Sequence, residues 1–298
     1  MSVSEMMAQM RDKPGFIAAL DQSGGSTPKA LVAYGIPESA YSGEAEMFQL
    51  IHEMRVRIIT APSFTGRKIL AAILFEKTMD GAAHGQPVPT YLWKEKGVVP
   101  FLKVDKGLEE EKDGVQLMKP IPGLDDLLAR AARLNIFGTK MRSVVNLASP
   151  TGIAAIAEQQ FAFAEQIAEH SLVPILEPEA LLKSPERAAA EEILCEELKK
   201  GLDALPEHRH VMLKLSIPVK PDLYAPLVVH PRVVRLVALS GGYSRDEACA
   251  ELAKNHGMIA SFSRALLDDL RHQMSEAEFD AALGTAIDQI YRASTIKV

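Results

Sequence analysis

Asp21, Lys103, Lys140, Glu177 and Lys214 each stand at the end of a short apolar run, and the last four follow one another at intervals of 37 residues. In an extended chain, residues two apart share a face. Ile17 and Ala19 therefore share one with Asp21, Phe101 with Lys103, Ile136 and Gly138 with Lys140, Ile175 with Glu177, and Met212 with Lys214. Charges on a core-facing side are either buried ion pairs that neutralise one another or a reactive cluster, and their gathering at strand ends favours the cluster. Three lysines and two carboxylates suit imine chemistry. Desolvation and a second cation nearby lower the pKa of a lysine and free its amine. The run Val211-Met-Leu-Lys214-Leu offers the apolar setting, and Lys140 the second cation. A free amine attacks a carbonyl to give a carbinolamine and then an iminium, an electron sink that lets a C–C bond break without a metal. Glu177 and Asp21 are the candidates for the proton transfers.

Two glycine-rich turns add a binding function. Ser23-Gly-Gly-Ser26 follows the first apolar run, and Ser240-Gly241-Gly242-Tyr-Ser244 follows the seventh. Successive glycine amides can form an anion-binding nest, and a following helix N-terminus adds its dipole. Arg264 lies just past the eighth run and can serve the same anion. Either turn alone is ordinary turn chemistry; two at equivalent points predict a ligand with two phosphates. His208-x-His210 is the nearest approach to metal-ligand spacing, but the pair precedes a strand and has no third partner, so no metal is expected. No G-x-S-x-G nucleophile elbow is present.

The elements that must position these residues read as an alternation. Strands are expected at Phe16–Leu20, Val56–Thr60, Val98–Lys103, Ile136–Lys140, Leu172–Glu177, Val211–Leu215, Val233–Leu239 and Met258–Ser261. Helical spacing of apolar residues marks Gly66–Met79, Leu124–Leu134, Ala154–His170, Pro185–Leu205, Ser244–Asn255 and Ser275–Ile290. Ser244 and Glu247 form a capping-box signature. Four prolines between Pro218 and Pro231 require a brief crossover there. Eight strand–helix units in 298 residues predict an α/β fold, a single (β/α)8 barrel spanning 1–298. Active sites of such barrels lie at the C-terminal ends of the strands, where the five charges fall. A doubly wound open sheet is disfavoured because the first strand leads into Ser-Gly-Gly-Ser rather than Gly-x-Gly-x-x-Gly.

Composition narrows the function classes. Hydrophobic residues make up 47% and charged residues 24%, a globular balance, so the chain is not disordered. The formal net charge of −6 argues against binding nucleic acid or an anionic membrane surface, while leaving room for a small phosphate ligand held by local lysines. The N-terminal residues lack the basic start and apolar run of a secretory signal, and runs such as Ile69–Phe75 are too short to span a membrane. Cys195 and Cys249 lack CxxC spacing and are read as free thiols, which predicts a cytoplasmic protein.

Seven segments together resemble the class I, Schiff-base fructose-1,6-bisphosphate aldolases of the shorter bacterial kind. They are Ala19-Leu-Asp-Gln-Ser-Gly-Gly-Ser26, Phe101-Leu-Lys-Val-Asp-Lys-Gly107, Gly138-Thr-Lys-Met-Arg142, Pro174-Ile-Leu-Glu-Pro-Glu179, Leu213-Lys-Leu, Ala238-Leu-Ser-Gly-Gly-Tyr-Ser244 and Ser261-Phe-Ser-Arg264. The resemblance runs from the first strand to the eighth. It implies metal-free, cofactor-free cleavage of fructose 1,6-bisphosphate to dihydroxyacetone phosphate and glyceraldehyde 3-phosphate, reversibly, in glycolysis and gluconeogenesis. It implies Lys214 as the Schiff-base lysine, Glu177 as the acid/base of carbinolamine formation and dehydration, and Lys140 as the cation beside the imine. Asp21 is implied as the carboxylate assisting at the carbinolamine and C–C cleavage steps. Arg142, Lys103, Ser23 and Ser26 fall where the family holds the distal half of the substrate, and Ser240, Gly241, Gly242 and Arg264 where it holds the ketone-side phosphate. Glu179 competes with Glu177 for the proton transfers. A homo-oligomer is a further implication. Against the longer eukaryotic members, Gln22 replaces a glutamate, Ala30 an arginine and Met141 a bulky aromatic. Other sugar phosphates, handled by the same lysine chemistry or merely bound by a non-catalytic barrel, remain the alternatives.

Overall fold

The computed structural model describes residues 2–298. Eight parallel strands close into a barrel in chain order: β1 (Phe16–Leu20), β2 (Ile69–Leu74), β3 (Val99–Lys103), β4 (Gly138–Val145), β5 (Val173–Ala180), β6 (Val211–Ser216), β7 (Val233–Leu239) and β8 (Met258–Phe262). β1 pairs with both β2 and β8, so the sheet has no open edge. Helices fill the crossovers as the alternation requires, including Leu124–Arg133, Pro150–Glu169, Arg187–Ala204, Arg245–Ala253 and Glu276–Thr295. The crossover after β6 holds only a four-residue helix, Ala225–Val228, in keeping with its prolines. Ser244 caps its helix as expected: its hydroxyl accepts from Glu247 N at 3.3 Å, and the Glu247 carboxylate accepts from Ser244 N at 3.0 Å.

Seven of the eight strands expected from the sequence are present. The exception is Val56–Thr60, which is the last turn and more of the helix Gly43–Thr60. The second strand is Ile69–Leu74, inside the segment expected to be the helix Gly66–Met79; only Glu76–Met79 is helical there. Both segments are short apolar runs, for which periodicity does not separate strand from helix. The longer window decides: Met47, Ile51, Met54, Arg55, Ile58 and Ile59 are buried along one helical face, whereas all six residues of β2 are buried, as a central strand demands. β4 and β5 also run beyond the expected Lys140 and Glu177, to Val145 and Ala180.

The strands separate two cores. Inside the barrel lie Ile17, Ala19, Ala71, Ile73, Val99, Phe101, Ile175, Met212, Val237 and Ile259. The larger outer core packs strands against helices. The expected parity holds for Ile17, Ala19, Phe101, Ile175 and Met212, which face inward. Ile136 departs from it: it precedes β4 and packs in the outer core, while Phe137 faces inward. The N-terminal helix Val3–Asp12 plugs the N-terminal end of the barrel. Met6 and Met10 pack against the interior residues, and the buried Gln9 amide donates to Leu70 O at 2.9 Å and Gly97 O at 2.8 Å.

Gly138 lets β4 approach its neighbours at the base of the site. A Cβ there would stand 2.1 Å from Val173 O and 2.6 Å from the Phe101 ring, and the backbone carbonyl cannot give way. Gly138→Ala should therefore cost about 3 kcal/mol of stability, the upper range for overpacking, in urea unfolding followed by circular dichroism. An unchanged midpoint would show that β4 can shift outward at that point.

Candidate active site

The barrel brings the charged side chains to its C-terminal mouth and stacks them in alternating sign. Lys140 Nζ lies 2.7 Å from Asp21 Oδ2 and 2.7 Å from Glu177 Oε2. Glu177 Oε1 in turn lies 2.9 Å from Lys214 Nζ. Asp21, Lys140, Glu177 and Lys214 thus form one continuous array, all of it buried. Barrel stagger explains which partners meet. In the β4–β5 ladder Lys140 stands opposite Ile175 and Arg142 opposite Glu177, but each cation pairs with the carboxylate two residues farther along β5. Lys140 reaches Glu177, and Arg142 Nε reaches Glu179 Oε2 at 2.5 Å. Lys103, at the end of β3, turns to Asp105, contacting its carboxylate and its carbonyl at 2.7 Å each.

These pairings set the protonation states. Burial would raise the Asp21 carboxyl, but Lys140 above all, with Lys214 and Lys103, holds it well below the usual carboxylate range. Burial works in the same upward sense on Glu177 and is outweighed by Lys140 and Lys214, so its pKa is lowered. Burial disfavours the charge on Lys140, yet Asp21, Glu177 and Asp105 hold its pKa above the ordinary lysine value. Lys140 is accordingly held as a cation between two carboxylates whose ionised forms it favours.

A cavity of about 440 Å³, a size typical of small-molecule sites, opens over the array. Asp21, Lys103, Lys140, Arg142, Glu177, Glu179 and Lys214 line it, and so do Ser23, Ser26, Ser240, Gly241 and Arg264. Of the residues expected at the site only Gly242 is outside the lining, though a Cβ on it would stand 3.8 Å from the Arg264 guanidinium. Gly241 and Gly242 have φ of 61° and 114°, and Tyr243 N closes the turn on Ser240 O at 3.0 Å. The helix that follows does not offer a free N-terminus, because Ser244 and Glu247 already close it. In the other turn, Ser26 Oγ is engaged by Ser23, donating to its carbonyl at 2.8 Å and accepting from its amide at 3.0 Å.

Sequence reasoning missed Asp105, Gln22 and the pair Ser261 and Ser263 as cavity residues. Asp105 carries a usable signal, since it stands two residues from Lys103 within the Lys-Val-Asp-Lys-Gly segment. It missed Arg55 as well, a guanidinium sealed behind the Asp21–Gln22 turn, because Val56–Thr60 was read as strand and the helical face was not seen.

Fold and site together define a barrel enzyme built around buried lysines. A family model for class-I fructose-bisphosphate aldolase matches residues 10–226. The class 1 fructose-bisphosphate aldolase of Synechocystis is 55% identical over 290 residues, covering 97% of both chains. That of Porphyromonas gingivalis is 54% identical over 290 residues, covering 97% of this chain and 98% of its own. Among solved structures, a fructose-bisphosphate aldolase from Plasmodium falciparum superposes with a TM-score of 0.80 at 21% identity, covering 99% of this chain and 96% of its own, which supports the fold. The chain belongs to the class I fructose-bisphosphate aldolase family, and it is a lyase.

The array makes a prediction with a definite sign in pH. Both carboxylates have lower pKa values folded than unfolded, so they stabilise the native state above the unfolded carboxylate range and lose that effect as pH falls through their folded values. Lys140→Met removes the largest opposing charge, so burial raises both carboxylates against only Lys214 and, at Asp21, Lys103. Protonation then relieves the strain, so the cost of the substitution should be smallest in acid. We expect a loss of about 3–5 kcal/mol near neutral pH and distinctly less near about pH 4.5, in urea titrations at both pH values. Equal losses would show that the array does not hold the carboxylates ionised.

Proposed function

We propose that this chain cleaves fructose 1,6-bisphosphate through an imine on Lys214, and that the observation carrying this reading is the buried contact of Lys214 Nζ with Glu177 Oε1 at 2.9 Å beside the fixed Lys140 cation. Glu177 is the acceptor within reach of the proton Lys214 sheds before attack. The amine nitrogen adds to the ketone carbon of the open-chain substrate, and the ketone oxygen takes the proton that this nitrogen gives up, which completes the carbinolamine. Loss of that hydroxyl as water, with Glu177 returning the proton, gives the iminium. The C–C bond one carbon removed from the iminium carbon then breaks. Its electron pair moves toward nitrogen to form the enamine as the adjacent hydroxyl loses its proton and becomes the aldehyde of glyceraldehyde 3-phosphate. Protonation of the enamine carbon and addition of water release dihydroxyacetone phosphate and restore the amine.

Asp21 lies on the far side of Lys140 from Glu177 and is assigned the proton at C–C cleavage. Lys140 keeps both carboxylates ionised. Glu179 is held by Arg142 rather than by either array lysine, which assigns the imine proton transfers to Glu177. The ketone-side phosphate is assigned to Ser240, Gly241 and Arg264, and the distal end to Ser23, Ser26, Lys103 and Arg142, all around the one cavity. No metal takes part in this scheme, as in the family. A cytoplasmic location is supported by the two free thiols, both raised to about 11 chiefly by burial and therefore unreactive.

Incubation with dihydroxyacetone phosphate followed by borohydride reduction and peptide mapping should place the adduct on Lys214. Lys214→Met should abolish turnover, Glu177→Gln should lower kcat by about 10² to 10⁴, and EDTA should leave the wild type unchanged. An adduct on another lysine, or turnover surviving in Lys214→Met, overturns the assignment.

A further inference from the structure

Arg55 is a fully buried cation for which the scheme above has no use. It sits on the core-facing side of the helix Gly43–Thr60, among Met54, Ile58 and Ile59, with 0% of its surface exposed. Burying a guanidinium is costly unless its charge and donors are met. Among the described residues no carboxylate lies within ion-pair contact of it, and burial pushes its pKa down to about 10 against the opposing attraction of Asp21. Nη1 donates to Thr78 Oγ1 at 2.8 Å, in the segment after β2. Nη2 donates to the main-chain carbonyl of Gln22, the residue after Asp21, and lies 3.5 Å from the Gln22 side-chain oxygen. Gln22 Nε2 continues the line to Ser263 Oγ at 2.5 Å, just past β8. One guanidinium thus ties together the exits of β2, β1 and β8. The carbonyl it grips belongs to the Gln22–Ser23 peptide, the next peptide after the one that joins Asp21 to Gln22, and the Asp21 carboxylate is aimed at Lys140.

A helix of this kind does not need an arginine to pack. An apolar side chain would fill the position without the desolvation cost, so its donors mark a positional role. We infer that Arg55 is a positioning residue for the C–C cleavage step: it fixes Gln22 by its carbonyl, and through that adjoining residue the backbone that directs the Asp21 carboxylate, while leaving the Lys214–Glu177 contact untouched. This rests on the assignment of Lys214, Glu177 and Asp21 made above.

The geometry separates two steps that a general loss of stability would slow together. In Arg55→Met, kcat for fructose 1,6-bisphosphate cleavage should fall on the order of ten- to a hundredfold, the cost of a catalytic group displaced by about an ångström, with little change in KM. Borohydride trapping of dihydroxyacetone phosphate on Lys214 should proceed at the wild-type rate. Arg55→Lys, which keeps a donor to the Gln22 carbonyl, should recover part of kcat; if Arg55→Met does not fold, Arg55→Lys and Thr78→Val are read in the same two assays, each expected to slow cleavage and spare trapping. Wild-type kcat in these variants, or parallel loss of cleavage and trapping, overturns the inference. A wild type that forms no Lys214 adduct strikes instead at the underlying site assignment, and so the two failures are told apart.

Discussion

Four ionisable groups, Asp21, Lys140, Glu177 and Lys214, share a space from which water is largely excluded, and the barrel mouth is organised to make that tolerable. Removing a charge from water costs several kcal/mol even after the surroundings relax. The cost is met only if each ion has an opposite partner at contact distance. Here the order along the array is minus, plus, minus, plus, so the two inner members each touch two partners. Such an arrangement tolerates little error. The members come from the end of β1 and from β4, β5 and β6, and a slip of one residue in any ladder would turn a charge outward and leave its partner unmatched. The two-residue offset between β4 and β5, repeated for Lys140–Glu177 and Arg142–Glu179, is the geometric expression of that constraint.

Around this rigid base the binding groups are of a different kind. Ser26 and Arg264 are exposed and each opens a helix, after β1 and β8, while Ser23 and Gly241 are half-buried in the loops after β1 and β7. Loops can reorganise around an anion without disturbing the array beneath them. The N-terminus of the helix Arg245–Ala253 fits this division, since it already holds the Glu247 carboxylate.

Most of the array was legible in the sequence because it breaks a rule. Charges in the parity of core residues at strand ends call for an explanation, and their face followed from the two-residue repeat for Asp21, Lys103, Glu177 and Lys214, though not from Ile136 for Lys140. The barrel was legible from the alternation of strand and helix patterns, although the units differ in length and the second strand lies elsewhere than expected. What escaped depended on longer-range competition. Val56–Thr60 is rich in β-branched residues, yet it continues a helical face begun at Met47, and only that longer window gives its state. Ile69–Leu74 carries no alternation because both its faces are buried. Arg55 was hidden by the first of these errors. Asp105 and the Gln22–Ser263 link are set by contacts across separate loops, for which no local pattern exists.

The array also gives an electrostatic reason why an imine suits this site. With all four groups ionised the array is neutral. When Lys214 passes its proton to Glu177, the array stays neutral, but an uncharged amine facing a carboxylic acid replaces the ion pair. Formation of the iminium places a positive charge back on that nitrogen, beside the Glu177 carboxylate that faced the ammonium. The carbinolamine, which is neutral at nitrogen, has no such compensation. A preorganised set of charges that fits the iminium better than the species flanking it lowers the barrier to dehydration, the step that creates the electron sink. In this reading Lys140 acts through its permanence: because it stays charged, Glu177 can exchange a proton with substrate and return to the anionic state that the iminium needs.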